Sequence, residues 1–288
     1  PTLGYVPKPN FESRDNHWGT VVTIDADGLR ANGAPTPPGD EVVLTVGDSF
    51  TFGDEVDDDE AWPAQLERIL RRPVRNGGVF GYSFVQMVLR AELLLERMPV
   101  KTLIVSFIPD DLTRGEYSRR YTPVPFFDLV DGQLLLRNVP IDHAAATHGD
   151  SDKALKDALG HSALVDAVLA NVARQWWFEN EKQVRVPHLT GQGDEIAMAL
   201  VERLLQQCRE RSARLVLVLQ DRRPTPEALA VLRHAESLGV PTLDLASRFQ
   251  ELRTADPSLE DRYFDGHMTE AGNRWVAEQV AELLRSLR

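Results

Sequence analysis

A single cysteine, Cys208, stands in the whole chain. No intramolecular disulfide can form, and cysteine usage leaves the compartment open. Cys208 falls on the apolar face of a helical pattern with Ala197, Val201 and Leu204, so it reads as a small core residue. No run of about 18 apolar residues occurs, so no membrane-spanning helix is expected. Basic residues are in deficit, 32 Lys and Arg against 44 Asp and Glu, for a formal net charge of −12. Such a chain repels a phosphate backbone, which argues against nucleic acid and against an anionic membrane surface as partners. The chain begins at Pro1 with no apolar signal region. Removal of an upstream segment stays open, and with it an extracytoplasmic site in a bacterium.

What is present is a globular composition. The 288 residues are 42% hydrophobic, enough for a sizeable core and for one large α/β domain with an insertion. Residues 1–40 are rich in Pro, Gly and Asn. They read as a β-rich extension, with a strand over Thr20–Ile24 and a turn at Asp25–Gly28. From residue 41 the pattern changes to short apolar runs alternating with helical periodicity. Strands are expected at Val42–Val46, Pro73–Arg75, Leu103–Ile108, Leu215–Leu219 and Val240–Leu245. Helices are expected at Trp62–Arg72, Ser83–Met98, Glu195–Arg211, Thr225–Ser237 and Glu270–Leu287.

Strands alternating with helices imply a doubly wound α/β fold, with a flavodoxin-like parallel sheet of about five strands. Residues 41–288 form this domain. Residues 112–194 break the rhythm and read as a mixed insertion, with a hairpin at 126–136 and a helix from Asp152 to about Trp176. Ligands of such sheets bind beyond the carboxyl ends of the strands. Chemistry is therefore sought just after each strand.

The first strand runs into Gly47-Asp48-Ser49-Phe50-Thr51-Phe52-Gly53. A serine there has two uses: its hydroxyl can attack a carbonyl, and its backbone N–H can hold the resulting oxyanion. It can also be no more than a capping serine in a tight turn. Thr51 stands where a G-x-S-x-G elbow would need its second glycine. Near the C-terminus lies Asp265-Gly266-His267. In an extended segment residues i and i+2 share a side, so Asp265 is expected to orient His267 toward Ser49. A plain surface turn is the alternative.

Four segments in this order resemble the SGNH (GDSL-type) hydrolase superfamily. They are Gly47-Asp48-Ser49 with Gly53, Asn76-Gly77-Gly78-Val79-Phe80-Gly81-Tyr82, Phe107-Ile108-Pro109-Asp110-Asp111, and Asp265-Gly266-His267. The likeness covers roughly 41–111 and 214–288. The lead-in Ile24–Arg30 and the hairpin running into Asn138-Val139-Pro140 resemble parts of some bacterial members. The resemblance implies a serine esterase that needs no cofactor. Ser49 is its nucleophile, His267 its base and Asp265 the orienting carboxylate. The oxyanion hole is built from Ser49, Gly78 (with Gly77 and Gly81 as lesser candidates) and residue 110. The substrate implied is a small acyl ester, an O-acetyl group on a carbohydrate among the options. An O-acyltransferase with the same triad and a non-catalytic carbohydrate-binding protein stay open beside it.

The third segment departs from the family pattern. Ser106 takes the place of a glycine and Asp110 that of an asparagine. An ionised carboxylate only accepts hydrogen bonds, whereas an asparagine amide donates. Three outcomes are open: Asp110 stays protonated in a dry site and donates, it turns away, or the chain binds rather than cleaves. The acidic run Asp54-Glu55 and Asp57–Glu60 reads as a solvated loop and helix start. His143, His148 and His161 lack tight ligand spacing, so no metal site is expected. Trp176-Trp177-Phe178 reads as core, with a sugar-stacking cleft as the alternative. Gly-Gly-x-x-Gly at 77–81 matches neither a dinucleotide fingerprint nor a P-loop.

Overall fold

In a computed structural model of the chain, residues 2–13, 19–39, 41–120, 122–141 and 183–287 are described. The expected insertion helix, His143, His148, His161 and Trp176–Phe178 lie outside them.

Five parallel strands form the centre: β3 (Val42–Gly47), β4 (Val74–Asn76), β5 (Val100–Phe107), β10 (Arg214–Leu219) and β11 (Thr242–Asp244). Their order is β11-β10-β5-β3-β4. The first strand of this set therefore lies between the second and third, which is the flavodoxin-like order expected. Chain direction across the sheet reverses between β3 and β5, and the crevice at such a switch point is where ligands bind.

Side chains alternate between two cores. Leu44, Val46, Leu103, Val105, Leu215 and Leu217 pack under α3 (Phe84–Leu95), α5 (Gly193–Glu210) and α6 (Pro226–Ser237). Val43, Ile104, Val216 and Val218 pack under α2 (Trp62–Leu70), α7 (Leu245–Ala255) and α8 (Glu270–Ser286). Burial on both faces is why these strands read as continuous apolar runs. Local signals set the helix ends. Ser83 caps α3 in a reciprocal pair with Gln86, and Pro63 sits in the first turn of α2.

Among the helices that were not expected, two bear on the site's surroundings. One is the short α4 (Pro109–Arg114) and the other is α7, which begins where the fifth strand was expected to end. Asp244 stops that strand early, because its carboxylate accepts the Ser247 N–H and caps α7.

The extension forms an antiparallel pair, β1 (Phe11–Ser13) with β2 (Val22–Ile24). Arg30 bridges it to Asn76 at the end of β4. In the insertion, β6 (Tyr117–Arg119) pairs with β9 (Val184–Arg185), and β7 (Phe126–Val130) with β8 (Gln133–Arg137). The β7–β8 turn is Asp131-Gly132, both at positive φ, 51° and 76°. That conformation suits a two-residue hairpin loop.

Candidate active site

Strand β3 ends at Gly47, and α1 (Ser49–Phe52) starts one residue later. Asp48 makes the junction. It is fully buried, and its carboxylate accepts the Phe50 N–H at 3.0 Å. The turn admits no side chain at Gly47, where a Cβ would lie 2.5 Å from Ser106 O. Ser49 thus stands at the carboxyl end of β3, beside the switch point. Its N–H lies in the first turn of α1, where amides have no intrahelical acceptor.

His267 comes from the opposite side. β12 (Phe264–Asp265) and β13 (His267–Met268) form a tight antiparallel pair turned by Gly266 at φ 75°. Phe50 packs against the imidazole, with ring centroids 5.6 Å apart. His267 Nε2 lies 3.0 Å from Ser49 Oγ. On the other side, Nδ1 lies 2.9 Å from Glu55 Oε1, and the His267 backbone N–H donates to Glu55 Oε2 at 3.2 Å. With a carboxylate at Nδ1, the proton belongs on Nδ1 and Nε2 is left as an acceptor for the serine hydroxyl.

Asp265 is not the partner of His267. It is exposed, and Glu55 occupies the Nδ1 side. The i, i+2 expectation assumed an extended backbone, and the left-handed Gly266 reverses the chain instead. Asp265 and His267 become cross-strand neighbours. Gly266 also leaves the space that Glu55 fills, since a Cβ there would meet Glu55 Oε2 at 3.0 Å.

Two of the expected oxyanion positions also differ. The Gly78 N–H donates to Asn76 Oδ1 at 3.0 Å, and the Gly77 N–H to Thr45 O at 2.8 Å. Gly78 is glycine for packing: a Cβ would lie 2.4 Å from Phe52 N. Asn76 fastens this loop to α1, donating to Thr51 O and Phe52 O. Asp110 is exposed in the first turn of α4 and borders a separate cleft with Glu116, Arg185 and Asp194. Among the described residues no hydrogen bond or ion pair joins it to Ser49 or His267. The dry site expected around Asp110 is therefore not what this geometry holds.

The acidic run is solvated only in part, with Asp59 exposed. Asp54 and Asp58 are buried. Asp58 pairs with Arg30 at 3.1 Å, with both side chains almost wholly covered. Asp57 and Asp58 accept the N–H groups of Val21 and Thr23 from the extension. Burial lifts the Asp54 carboxyl to about 6 against the pull of His267 and Arg30. Its Oδ2 lies 3.9 Å from His267 Nε2, so once ionised it favours an imidazolium.

Behind Ser49 lies a second charged group. Arg114 reaches Asp111 at 2.6 Å and Asp48 at 3.3 Å. Burial raises both carboxyls above their ordinary range, and the charge of Asp48 raises Asp111 further. Asp48 Oδ2 is 3.4 Å from Ser49 Oγ, a weaker contact than that to His267. Sequence reasoning missed both Glu55 and Arg114. The available signals were the acidic run three residues beyond α1 and a basic residue one turn after two aspartates. Among the described residues no group of His, Cys, Asp and Glu could hold a metal ion, and no helix is long and apolar enough to cross a membrane.

The chain is thus a doubly wound α/β protein whose switch point holds a serine, a histidine and a glutamate in one hydrogen-bonded line. No family model and no curated protein matches it. Solved structures similar to it include a lipolytic protein of the G-D-S-L family from Desulfitobacterium hafniense, at 13% identity and TM-score 0.44, covering 84% of this chain and 98% of that one. TesA is similar at 14% identity and TM-score 0.48, over 86% and 100%. An acetylxylan esterase from Geobacillus stearothermophilus is similar at 14% identity and TM-score 0.41, over 87% and 96%.

Proposed function

We propose that this protein is a serine esterase of the SGNH type, with Ser49 as nucleophile, His267 as general base and Glu55 as the carboxylate that orients it. The observation carrying the reading is the continuous line from Ser49 Oγ through the imidazole to Glu55, at 3.0 and 2.9 Å. These are working hydrogen-bond distances for a nucleophile and its base.

In the first half-reaction Ser49 Oγ bonds to the ester carbonyl carbon and its proton passes to His267 Nε2. Glu55 accepts the Nδ1–H bond and stabilises the imidazolium. The oxyanion is held by the Ser49 N–H, whose position at the start of α1 leaves it available. Collapse breaks the bond to the alcohol oxygen, which takes the Nε2 proton. Water then repeats the sequence, releasing the acid and restoring Ser49.

Replacement of water by a sugar hydroxyl would make the same triad an O-acyltransferase, and added acceptor separates the two. The intact Ser49–His267 contact counts against a purely binding role. A small O-acyl ester remains the substrate class proposed. Fluorophosphonate exposure followed by intact-mass analysis, with p-nitrophenyl acetate turnover alongside, tests the reading. A single adduct at Ser49, lost with turnover in Ser49→Ala, is expected. A folded wild-type protein that is neither labelled nor active overturns it.

A further inference from the structure

Beside the triad lies an apolar cleft of about 400 Å³. Phe52 and Phe80 meet edge to face on one side, with centroids 5.8 Å apart. Val6, Phe11, Val22 and Ile24 of the N-terminal extension make the other. Val6, Phe11 and Phe80 are 54, 40 and 46% exposed, an unusual cost for three large apolar side chains gathered in one place.

The cleft adjoins the proposed catalytic residues through Asp54, although none of the three lines it. Asp54 is one of its lining residues and also approaches His267 Nε2. Phe52 closes the one-turn helix that begins at Ser49. Phe80 follows the glycine loop that packs on that helix, and Tyr5 Oη donates to Phe80 O at 2.8 Å, fixing the loop against the extension. Among the described lining residues one carboxylate, Asp54, is matched by one cation, Lys8, and the rest of the wall is largely apolar, which favours an uncharged ligand. The volume exceeds what an acetyl group needs and lies in the range of small-molecule sites.

We propose that this cleft binds an uncharged apolar chain attached to the scissile ester, so that the N-terminal extension is part of the substrate site. The inference rests on the esterase reading and narrows it, since the preferred substrates are then esters with a chain well beyond acetyl. The chain comes from either the acyl or the alcohol side, and two substrate series tell them apart.

The test compares p-nitrophenyl octanoate with p-nitrophenyl acetate, and octyl acetate with ethyl acetate, in wild type, Phe11→Asp and Val6→Asp. Two surface variants guard against one that fails to fold. In parallel, n-octanol binding to Ser49→Ala is followed by ligand-observed NMR, with and without Phe11→Asp. One series is expected to favour the long chain in kcat/KM by roughly tenfold or more. Both variants should pull that ratio back toward unity, mainly through KM, and n-octanol binding should weaken with Phe11→Asp. If p-nitrophenyl acetate is hydrolysed but neither series shows a Phe11-dependent preference, the cleft assignment falls and the esterase stands. If no ester is turned over while n-octanol still binds through Phe11, the esterase reading falls and the apolar site remains. Absence of both turnover and binding overturns the two together.

Discussion

Glu55 holds a backbone conformation that few glutamates adopt, with φ at 71°. Such a residue carries roughly 1–3 kcal/mol of strain, and surrounding contacts must hold it there. The contacts are present: both carboxylate oxygens engage His267. Glu55→Gln keeps the shape but lets an amide face Nδ1, which permits the wrong tautomer. Its kcat should fall by roughly 10²–10⁴ in p-nitrophenyl acetate turnover. Asp265→Asn and Asp110→Asn, both at exposed positions, should stay close to wild type; a large loss in Asp265→Asn with Glu55→Gln unaffected would reverse the assignment. Asp54 makes a pH prediction. Its carboxyl sits at about 6 against an ordinary 3.8, so the native state binds this proton more tightly than the unfolded chain. That stability is present at low pH and lost as the pH rises through about 6. Asp54→Asn, which cannot ionise, should melt above wild type at about pH 7, with the gap narrowing by about pH 4 in a calorimetric series. Ser49 and His267 were legible in the sequence because each sits in a short local pattern. Glu55 was not, because its contact with His267 spans 212 residues and depends on how Gly266 turns the chain.

At the scale of elements, the two-faced strands and the long helices could be read from periodicity alone, since burial on one or both faces dictates the residue types. The short elements could not. Helix α4 is six residues, too short to display a stripe, and the cap of α7 lies inside the apolar run of its preceding strand. The elements that position Ser49 depend on close backbone approach more than on pattern. Gly78 lies against α1 with no room for a methyl group, at 2.4 Å from Phe52 N and 2.7 Å from Thr51 C. Since backbone rather than a flexible side chain blocks the space, Gly78→Ala must shift α1 or its own loop. A loss of roughly 1–3 kcal/mol is expected, read as a lower urea midpoint at unchanged m. Activity should fall as well, because α1 carries Ser49, the proposed nucleophile. A fully stable and active Gly78→Ala would show that the loop gives way freely. Arg114 makes a comparable prediction for α4. Arg114→Leu leaves Asp48 and Asp111 buried without their cation, and a loss of about 3–5 kcal/mol is expected.

Across the whole molecule, the acidic run at 54–60 ties the extension to the carboxyl end of the sheet. Arg30 is the fastening. Its backbone N–H donates to Asn76 O at 3.0 Å, and its guanidinium reaches Asp58, Phe52 O, Gly53 O and Val56 O. It also lies over the Phe52 ring, 5.0 Å from the centroid. The segment so held carries Asp54 and Glu55, so the same residue that anchors the extension also shapes the backbone that presents Glu55, the carboxylate of the proposed triad. The formal charge of −12 is thus not wholly a surface property, since part of it is used internally against a buried arginine. Arg30→Met removes the cation and leaves Asp58 covered, for an expected loss of about 3–5 kcal/mol. Arg30→Met with Asp58→Leu removes both members of the pair and should recover much of that stability, but it cannot restore the bonds to backbone carbonyls. If those bonds hold Glu55 in place, the double variant is stable yet still slow in kcat. If the double variant regains both stability and rate, the charge pair alone mattered, and Glu55 is held by His267 without help from the extension.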